Sequence, residues 1–444
     1  MTTGPLAPQI IRFVIPLALT GILQQLFTSA DLAVVGRFAG TGPMAAVGAN
    51  AAFISLILNL FVGISLGANV VIAEGIGKKD AGQVERAVHT SLVVAVLGGI
   101  VLGILAFAGA GAVVRFMNTP ADIYDYALKY LRVYLCGLPV LMLYNFEAAI
   151  FRANGNTQLP LIALAVSGVV NVGLNILFVL AFHMDTDGVA LATVIANALS
   201  AGILLVALLR TGDCIRLDPR KLRVHGDVLK EILRIGIPAS IQQCMFSIAN
   251  ILIQSAIDSL GTAVIAGSSA GFNVEVFVGY ILSSYGQACA TFTSQNRGAG
   301  LHDRCRKVLT TCLWQDYIAT VGVYALVLLF SRQLLSLFSS DPEVIEIGRN
   351  RLFYIFLTYH FSLVSDCCSG YLRGYGMSVK PTVCNIFGVV VVRLTWLYTV
   401  FRAMPTFGVL MQVYPVSLCV TAIMHLTLTL ISRPSRRLQT KYGD

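Results

Sequence analysis

Arg152-Ala-Asn-Gly155, followed by Pro160, returns later in the chain as Arg373-Gly-Tyr-Gly376, followed by Pro381, at an offset of 221 residues for all three anchors. Phe116 with Pro120 returns as Phe338 with Pro342 at 222, and Gly42, Gly48 and Gly67 pair with Gly261, Gly267 and Gly286 at 219. Chance matches would not keep one slowly drifting offset along a whole chain, so the two halves are repeats of one another. What one half is made of, the molecule contains twice.

Each half is a series of long apolar runs. Hydropathy, with turn residues and charges as punctuation, places spans near 11–35, 44–73, 88–114, 127–151, 159–182, 188–209, 232–257, 264–292, 309–330, 351–372, 381–401 and 407–431. The runs are about 20 residues or longer and lack period-two alternation, so they are helices rather than barrel strands. The fold class expected is all-α integral membrane, with twelve transmembrane helices in two six-helix lobes. The lobes are 1–209 and 232–432, joined by a cytoplasmic linker at 210–231 and followed by a tail at 433–444. Six spans per half insert both halves with the same polarity, which relates them by an axis along the membrane normal, an arrangement typical of secondary transporters.

Composition agrees and narrows the function. The 444 residues are 56% hydrophobic and only 12% charged, against roughly 25% charged in soluble domains, and the mean hydropathy is +0.78. Such a chain is not a soluble enzyme, and its working parts lie inside the bilayer. The net charge of +9 does not indicate nucleic acid, because the basic residues sit in short inter-helix loops, where they set topology. The N-terminus, C-terminus and even-numbered loops hold 22 Lys and Arg, the odd-numbered loops hold 8, and Arg393 lies inside a span. Both termini are therefore expected in the cytoplasm of a multi-pass cell-membrane protein. The most basic loop, 210–234, is expected to carry a surface helix over 219–233. The cysteines form no C-x-x-C pair, and most, such as Cys136, Cys244, Cys289 and Cys419, lie in apolar runs as small core residues. The N-terminal stretch lacks a basic region and runs into a long apolar segment, so no signal peptide is expected.

Pro16-Leu-Ala-Leu-Thr-Gly-Ile-Leu-Gln-Gln, then Asp31-Leu-Ala-Val-Val-Gly36-Arg37, then Ala45-Ala-Val-Gly48, resembles the opening of a multidrug and toxic compound extrusion (MATE) transporter. Gly75-Ile-Gly77-Lys-Lys-Asp80, the two Arg-x-x-Gly-x-x-x-x-Pro repeats and Ile235-Gly-Ile-Pro238 are similar to the family too. The order and spacing of these motifs, over essentially the whole chain, carry the resemblance. It implies a V-shaped pair of six-helix lobes exchanging H+ or Na+ for organic, often cationic, substrates.

Ionisable residues inside spans are the candidate working parts, because a charge in lipid is costly unless it faces protein or water. Asp31 lies in the outer half of the first span, and Gln24, two helical turns earlier, projects from the same face. Asp31 is either a helix-end aspartate paired with Arg37 or a carboxylate shielded from water, able to change protonation at ordinary pH and so couple proton movement to helix position. Asn171 and Asn175 stack at i, i+4 on the fifth span, either as interhelical hydrogen-bonding groups or as part of a site. The resemblance implies an ion-coupling site built from Asp31, Asn171, Asn175 and Thr193. Asn175 stands where some members carry a second aspartate, which weakens the case for Na+. No acid occurs from Ile232 to Ile257, and Asn250 is assigned the repeat position of Asp31, so a NorM-type acidic site is missing from the second half. This favours a DinF-like branch coupling in the first. Glu275, Asp366 and Arg393 are the deep charges of the second half. With Gln24 they are the substrate-cavity candidates, Arg393 being expected to pair with Glu275 or Asp366, as structural ion pair or substrate contact. Glu147, with Arg152 close by, and Asp316 read as structural.

Pro16, Pro139 and Pro238 fall inside helices as kinks or hinges, and Gly99-x-x-x-Gly103 permits close helix approach. His183, His360 and His425 are too scattered to be metal ligands, and no nucleotide-binding, zinc-protease or serine-hydrolase motif occurs. The sequence therefore reads as a non-enzymatic secondary antiporter that exports amphipathic or cationic organic molecules against inward H+ or Na+. It is expected to need no cofactor or metal, to meet small organic substrates and membrane lipid rather than nucleic acid, and to act as a monomer. A lipid-linked oligosaccharide flippase of related fold is the alternative; it calls for a strongly cationic cavity and extra helices.

Overall fold

A computed structural model describes residues 1–117, 119–432 and 434; the expected tail at 433–444 lies outside the described residues, Pro434 aside. The chain is helical throughout: α1 (Leu6–Val34), α2 (Thr41–Lys78), α3 (Ala81–Phe116), α4 (Tyr124–Cys136), α5 (Leu138–Ala153), α6 (Gln158–Ile176), α7 (Thr186–Arg210), α8 (Gly226–Asp258), α9 (Thr262–Gly298), α10 (His302–Leu329), α11 (Ser331–Ser336), α12 (Pro342–Gly374), α13 (Val379–Asn385), α14 (Val392–Trp396), α15 (Phe407–Met411) and α16 (Val413–Ser432). All twelve expected spans fall on these helices. Among the described residues ten helical segments are long and apolar enough to cross a membrane, and the α4–α5 pair, bent by 49°, makes an eleventh. The twelfth expected span is α12, long enough at 33 residues but made more polar by Arg351, His360 and Asp366. The flanks of α3 are typical of a lipid-facing helix, with Leu97, Val101, Ile104 and Leu105 largely exposed.

Local chemistry sets the ends and bends. Asp80 accepts the Gln83 N–H at 2.9 Å to start α3, and Asp341 accepts the Glu343 N–H at 2.9 Å to start α12. Gly40 and Gly261 precede α2 and α9, each at φ 103°, a conformation that a Cβ would strain. Pro16 and Pro238 lie inside α1 and α8. Pro139 instead sits in the first turn of α5, where its missing N–H leaves no bond unmade. It marks a break between two helices rather than a kink within one. Single wide π-helical turns close α1 (Val35–Ala39) and α6 (Leu177–Ala181) and interrupt the helix around α14 (Ile386–Val391, Leu397–Phe401).

Burial corrects the repeat register in the first and second helices of each half. Ile10, Phe13, Leu17 and Ala18 are buried, as are Ile232, Ile235, Ala239 and Ser240, and all four pairs lie at an offset of 222. In that phase Asp31 corresponds to Ile253, a fully buried apolar residue, and Asn250 corresponds to Thr28. The starts of α2 and α9, at Gly40 and Gly261, align at 221. The Gly42, Gly48 and Gly67 pairings at 219 therefore join residues two positions apart in the fold, and glycine identity was a poorer guide than helix phase.

The chain divides into two compact units, one of Leu19–Leu233 and one of Met1–Ala18 with the chain from Arg234 onward. In the first, Asn50 and Asn69 on α2 donate side-chain N–H bonds of 3.0 Å to the carbonyls of Ala127 and Ala149. Gly99 and Gly103 let α3 approach the α4–α5 break: a Cβ on Gly99 would collide with Pro139 and Leu138, and one on Gly103 would lie 3.2 Å from the Leu135 carbonyl. The linker is not a surface helix over 219–233. It holds one 3-10 turn, Pro219–Lys221, and α8 begins at Gly226. The linker bonds outward to α3 instead: His89 Nε2 meets the Asp218 backbone at 3.0 Å, the His225 N–H donates to Thr90 Oγ1 at 3.1 Å, and Lys221 pairs with Glu85 at 2.8 Å.

In the second unit the start of α1 packs into a core with α9, α10 and α12, where Phe13 meets Phe292 edge to face at 5.5 Å. Arg304 Nη2 donates to the carbonyls of Thr3 and Gly4 at 3.1 and 2.8 Å. Helices α9 and α12 pack backbone to backbone, since a Cβ on Gly374 would lie 2.8 Å from the Ala290 carbonyl.

Candidate functional site

A short turn joins α6 to α7, with His183 at φ 53°, and makes the two helices antiparallel neighbours. The last turns of α6 and the first turns of α7 consequently lie side by side, and the end of α1 meets them. Asn175 Nδ2 on α6 donates to Asp31 Oδ1 at 2.5 Å and to Asn171 Oδ1, one turn earlier, at 3.4 Å. Thr193 Oγ1 on α7 has one hydrogen and two acceptors in reach, Asp31 Oδ2 at 3.3 Å and the Val189 carbonyl at 3.0 Å. Asn171 Nδ2 approaches Thr193 Oγ1 at 3.5 Å. Asn171 and Asn175 are buried and Asp31 is half-buried. The four residues named for ion coupling thus form one connected network.

Asp31 forms no ion pair among the described residues. Arg37, its expected partner, is exposed within the π-helical turn that closes α1. The carboxylate is held by neutral donors alone, and Asn175 Oδ1 is a buried acceptor without a hydrogen-bond partner. An amide can serve either state of an acid: its N–H side meets a carboxylate, and its carbonyl side, after a half-turn, meets a carboxyl O–H. The cluster can hold one proton. Its oxygens, from Asp31, Asn171, Asn175 and Thr193, are also the hard donors that a small cation takes.

Three neighbours escaped sequence reasoning. Asn197 Nδ2 donates to the Thr193 carbonyl at 2.8 Å. Tyr130 and Tyr134 of α4, stacked with ring centroids 6.1 Å apart, lie within electrostatic range of Asp31. The signal was the i, i+4 spacing of Thr193 with Asn197 and of the two tyrosines. Gln24 shares the helix but not the network; it is exposed, and its carbonyl accepts from Thr28 Oγ1 at 3.0 Å.

The second half is wired differently from the expectation. Glu275 does not pair with Arg393. Both its oxygens are taken by Arg351, through Nε at 3.0 Å and Nη2 at 2.7 Å, and Arg351 Nη1 donates to Ser268 Oγ at 2.8 Å. The physical reason is the tight α9–α12 packing, which puts Arg351 inside the span rather than in the loop before it. Arg393 donates instead to Asn250 Oδ1 at 2.7 Å and Ser417 Oγ at 3.3 Å and lies over the rings of Phe246 and Tyr414. Asp366 is half-buried near Arg373, not Arg393. Glu147 is fully buried and, among the described residues, neither of its oxygens is hydrogen-bonded, so Arg152 is not its ion-pair partner. Asp316, also buried, accepts from Thr320 Oγ1 at 2.9 Å.

Comparison with known proteins locates this architecture. The MatE family model matches residues 16–177 and 238–399, two segments that start and end at the offset of 222 given by burial. The chain is 27% identical over 421 residues to the probable multidrug resistance protein YoeA of Bacillus subtilis, covering 93% of this chain and 91% of that one. It is 25% identical over 390 residues to the probable multidrug resistance protein NorM of Thermotoga maritima, covering 87% and 84%. Among solved structures, a MATE in complex with MaL6 superposes with a TM-score of 0.91 over 98% of both chains at 20% identity.

Proposed function

We propose, from the premise that the chain belongs to the MatE family, that it is a secondary antiporter exporting amphipathic or cationic organic compounds in exchange for protons. The observation that supports this best is Asp31, a carboxylate surrounded by the neutral donors Asn175 and Thr193 with no basic partner among the described residues. Protonation takes such a cluster from one negative charge to none. A conformation that shields Asp31 from water favours the neutral form, and one that opens it favours the ionised form, so a proton gradient biases the equilibrium between them. The Asn175 amide, with its unpartnered oxygen, can follow the change by turning over.

A single carboxylate with Asn175 beside it makes Na+ the weaker candidate for the coupling ion. The excess of Lys and Arg in the even-numbered loops supports a cytoplasmic position for both termini and for the linker. Because both halves are in one chain, the single chain is read as the transporting unit. A lipid-linked oligosaccharide flippase is not favoured by a match to MatE and to relatives named for multidrug resistance. The test is substrate-induced proton release from protein reconstituted in vesicles, with Na+ present and absent. Release in both conditions supports proton antiport, and release that requires Na+ overturns it.

A further inference from the structure

The repeat register gives Arg393 a meaning that the isolated residue lacks. Pro160 and Pro381 align these helices at 221, the π-helical turn Ile386–Val391 takes up one residue more, and at the resulting offset of 222, which also ends the matched segments, Arg393 takes the place of Asn171; on the first helices, at 222, Ile253 takes the place of Asp31. Where the first half sets a carboxylate among amides, the second sets a guanidinium and no acid.

That guanidinium is 1% exposed, and among the described residues it makes no ion pair. Its Nη1 and Nε are engaged by the neutral oxygens of Asn250 and Ser417, and its Nη2 is buried without any hydrogen-bond partner. It lies over the rings of Phe246 and Tyr414, with centroids 5.3 and 4.8 Å from Cζ. Glu275 cannot compensate it, since both its oxygens belong to Arg351. The cluster of Glu275, Arg351 and Arg393 thus carries one uncancelled positive charge inside the span region, a costly arrangement unless a partner arrives.

Helix α8 covers the guanidinium through Asn250 and Phe246. Gln243, Ser247, Asn250 and Gln254 follow at spacings of four, three and four, so they form one helix face. Gln243 and Gln254 are exposed, Ser247 and Asn250 half-exposed, and Phe246 is exposed beside them. A polar face of that length within a span faces water rather than lipid. Arg393 lies one side chain beneath it, behind Asn250 and the Phe246 ring.

We propose that Arg393 recognises the carboxylate of an aromatic amphipathic substrate, with Nη2 and the neighbouring Asn250 amide donating to its oxygens and Phe246 and Tyr414 flanking its ring system. This rests on the transport reading above and narrows it: the preferred substrates are zwitterions or anions bearing a carboxylate, and cations without one bind more weakly.

A matched dye pair tests this. Rhodamine B carries a free carboxylate, and its ethyl ester is the same chromophore as a plain cation. Binding of each to purified protein in lipid nanodiscs is followed by fluorescence polarisation. Wild type should prefer the acid. Arg393→Gln should weaken acid binding by about tenfold, as for loss of a charge-assisted hydrogen bond, and leave ester binding within about twofold. Arg393→Lys should keep much of the preference. Asn250→Asp, which leaves Arg393 in place but neutralises it, should abolish the preference, guarding against a folding defect as the cause. The proposal is overturned if wild type binds the two dyes alike or binds neither, if Arg393→Gln weakens both equally, or if Asn250→Asp leaves the preference intact. Proton-driven uptake of the ester into everted vesicles is read separately. Its failure in wild type counts against antiport and leaves the acid–ester difference in binding standing on its own.

Discussion

At the scale of single residues the molecule turns on whether Asp31 can change charge. Asp31→Asn keeps the side chain's size and permanently imitates the protonated state, so the protein should insert and fold yet lose gradient-driven export, by at least about tenfold, while substrate binding loses its pH dependence. Full gradient-dependent export by this variant, measured in everted vesicles, would falsify the role given to Asp31. Asn171→Ala should be milder, a few-fold loss of rate, because Asn171 touches Asp31 only through Asn175 and Thr193. Both wild type and Asn171→Ala should transport as well in K+ as in Na+, and an absolute Na+ requirement would move the coupling chemistry to the full oxygen set of the cluster. Asp31, Asn171 and Asn175 are legible in the sequence, since a polar group inside an apolar run stands out without knowledge of the fold, whereas Thr193, one hydroxyl among many, is reached only through the family resemblance. The sequence could not name their partners in the second half. Whether Arg393 meets Glu275 or Asn250 depends on which helices touch, and apolar runs of similar length carry no record of that.

At the scale of elements, helix identity was legible and helix joints less so. Long apolar runs satisfy their own backbone hydrogen bonds in lipid, so hydropathy alone finds them. The basic, Pro-started composition of the linker suits a surface helix, whereas His89, Thr90 and Glu85 on α3 offer its backbone and side chains better partners. The α4–α5 joint shows what a close approach demands. Gly99 lies against the backbone of Pro139 and Leu138 with no room for a Cβ, and Gly109, on the same helix, has nothing within 4 Å. Gly99→Ala should therefore destabilise the protein by about 1–3 kcal/mol, the usual range for overpacking. Gly109→Ala should be neutral or slightly stabilising through helix propensity. Thermal unfolding in detergent checks this, and equal midpoints for the two variants would mean that the joint yields freely.

At the scale of the whole molecule the repeat and the charge bias make one joint claim about topology. Six crossings per half put the linker and the α6–α7 turn on opposite sides, separated by the single helix α7, whose 25 residues span about 37 Å at 1.5 Å per residue. The charge bias then says which side is which, and the structure sharpens it: Arg351, counted in an outer loop from sequence, is buried inside α12, which lowers the outer count from 8 to 7 against 22. Cys214, exposed in the linker, is a ready label once the other nine cysteines are replaced, and His183→Cys supplies the second site in a chain also lacking Cys214. A membrane-impermeant maleimide should reach Cys214 only in everted vesicles and the residue-183 cysteine only in intact cells. If both sites react from the same side, α7 does not cross and the six-span half fails. If they react from opposite sides but in reverse, the crossings stand and the excess of basic residues marks the outer face, which would also invert the direction of transport proposed for Asp31.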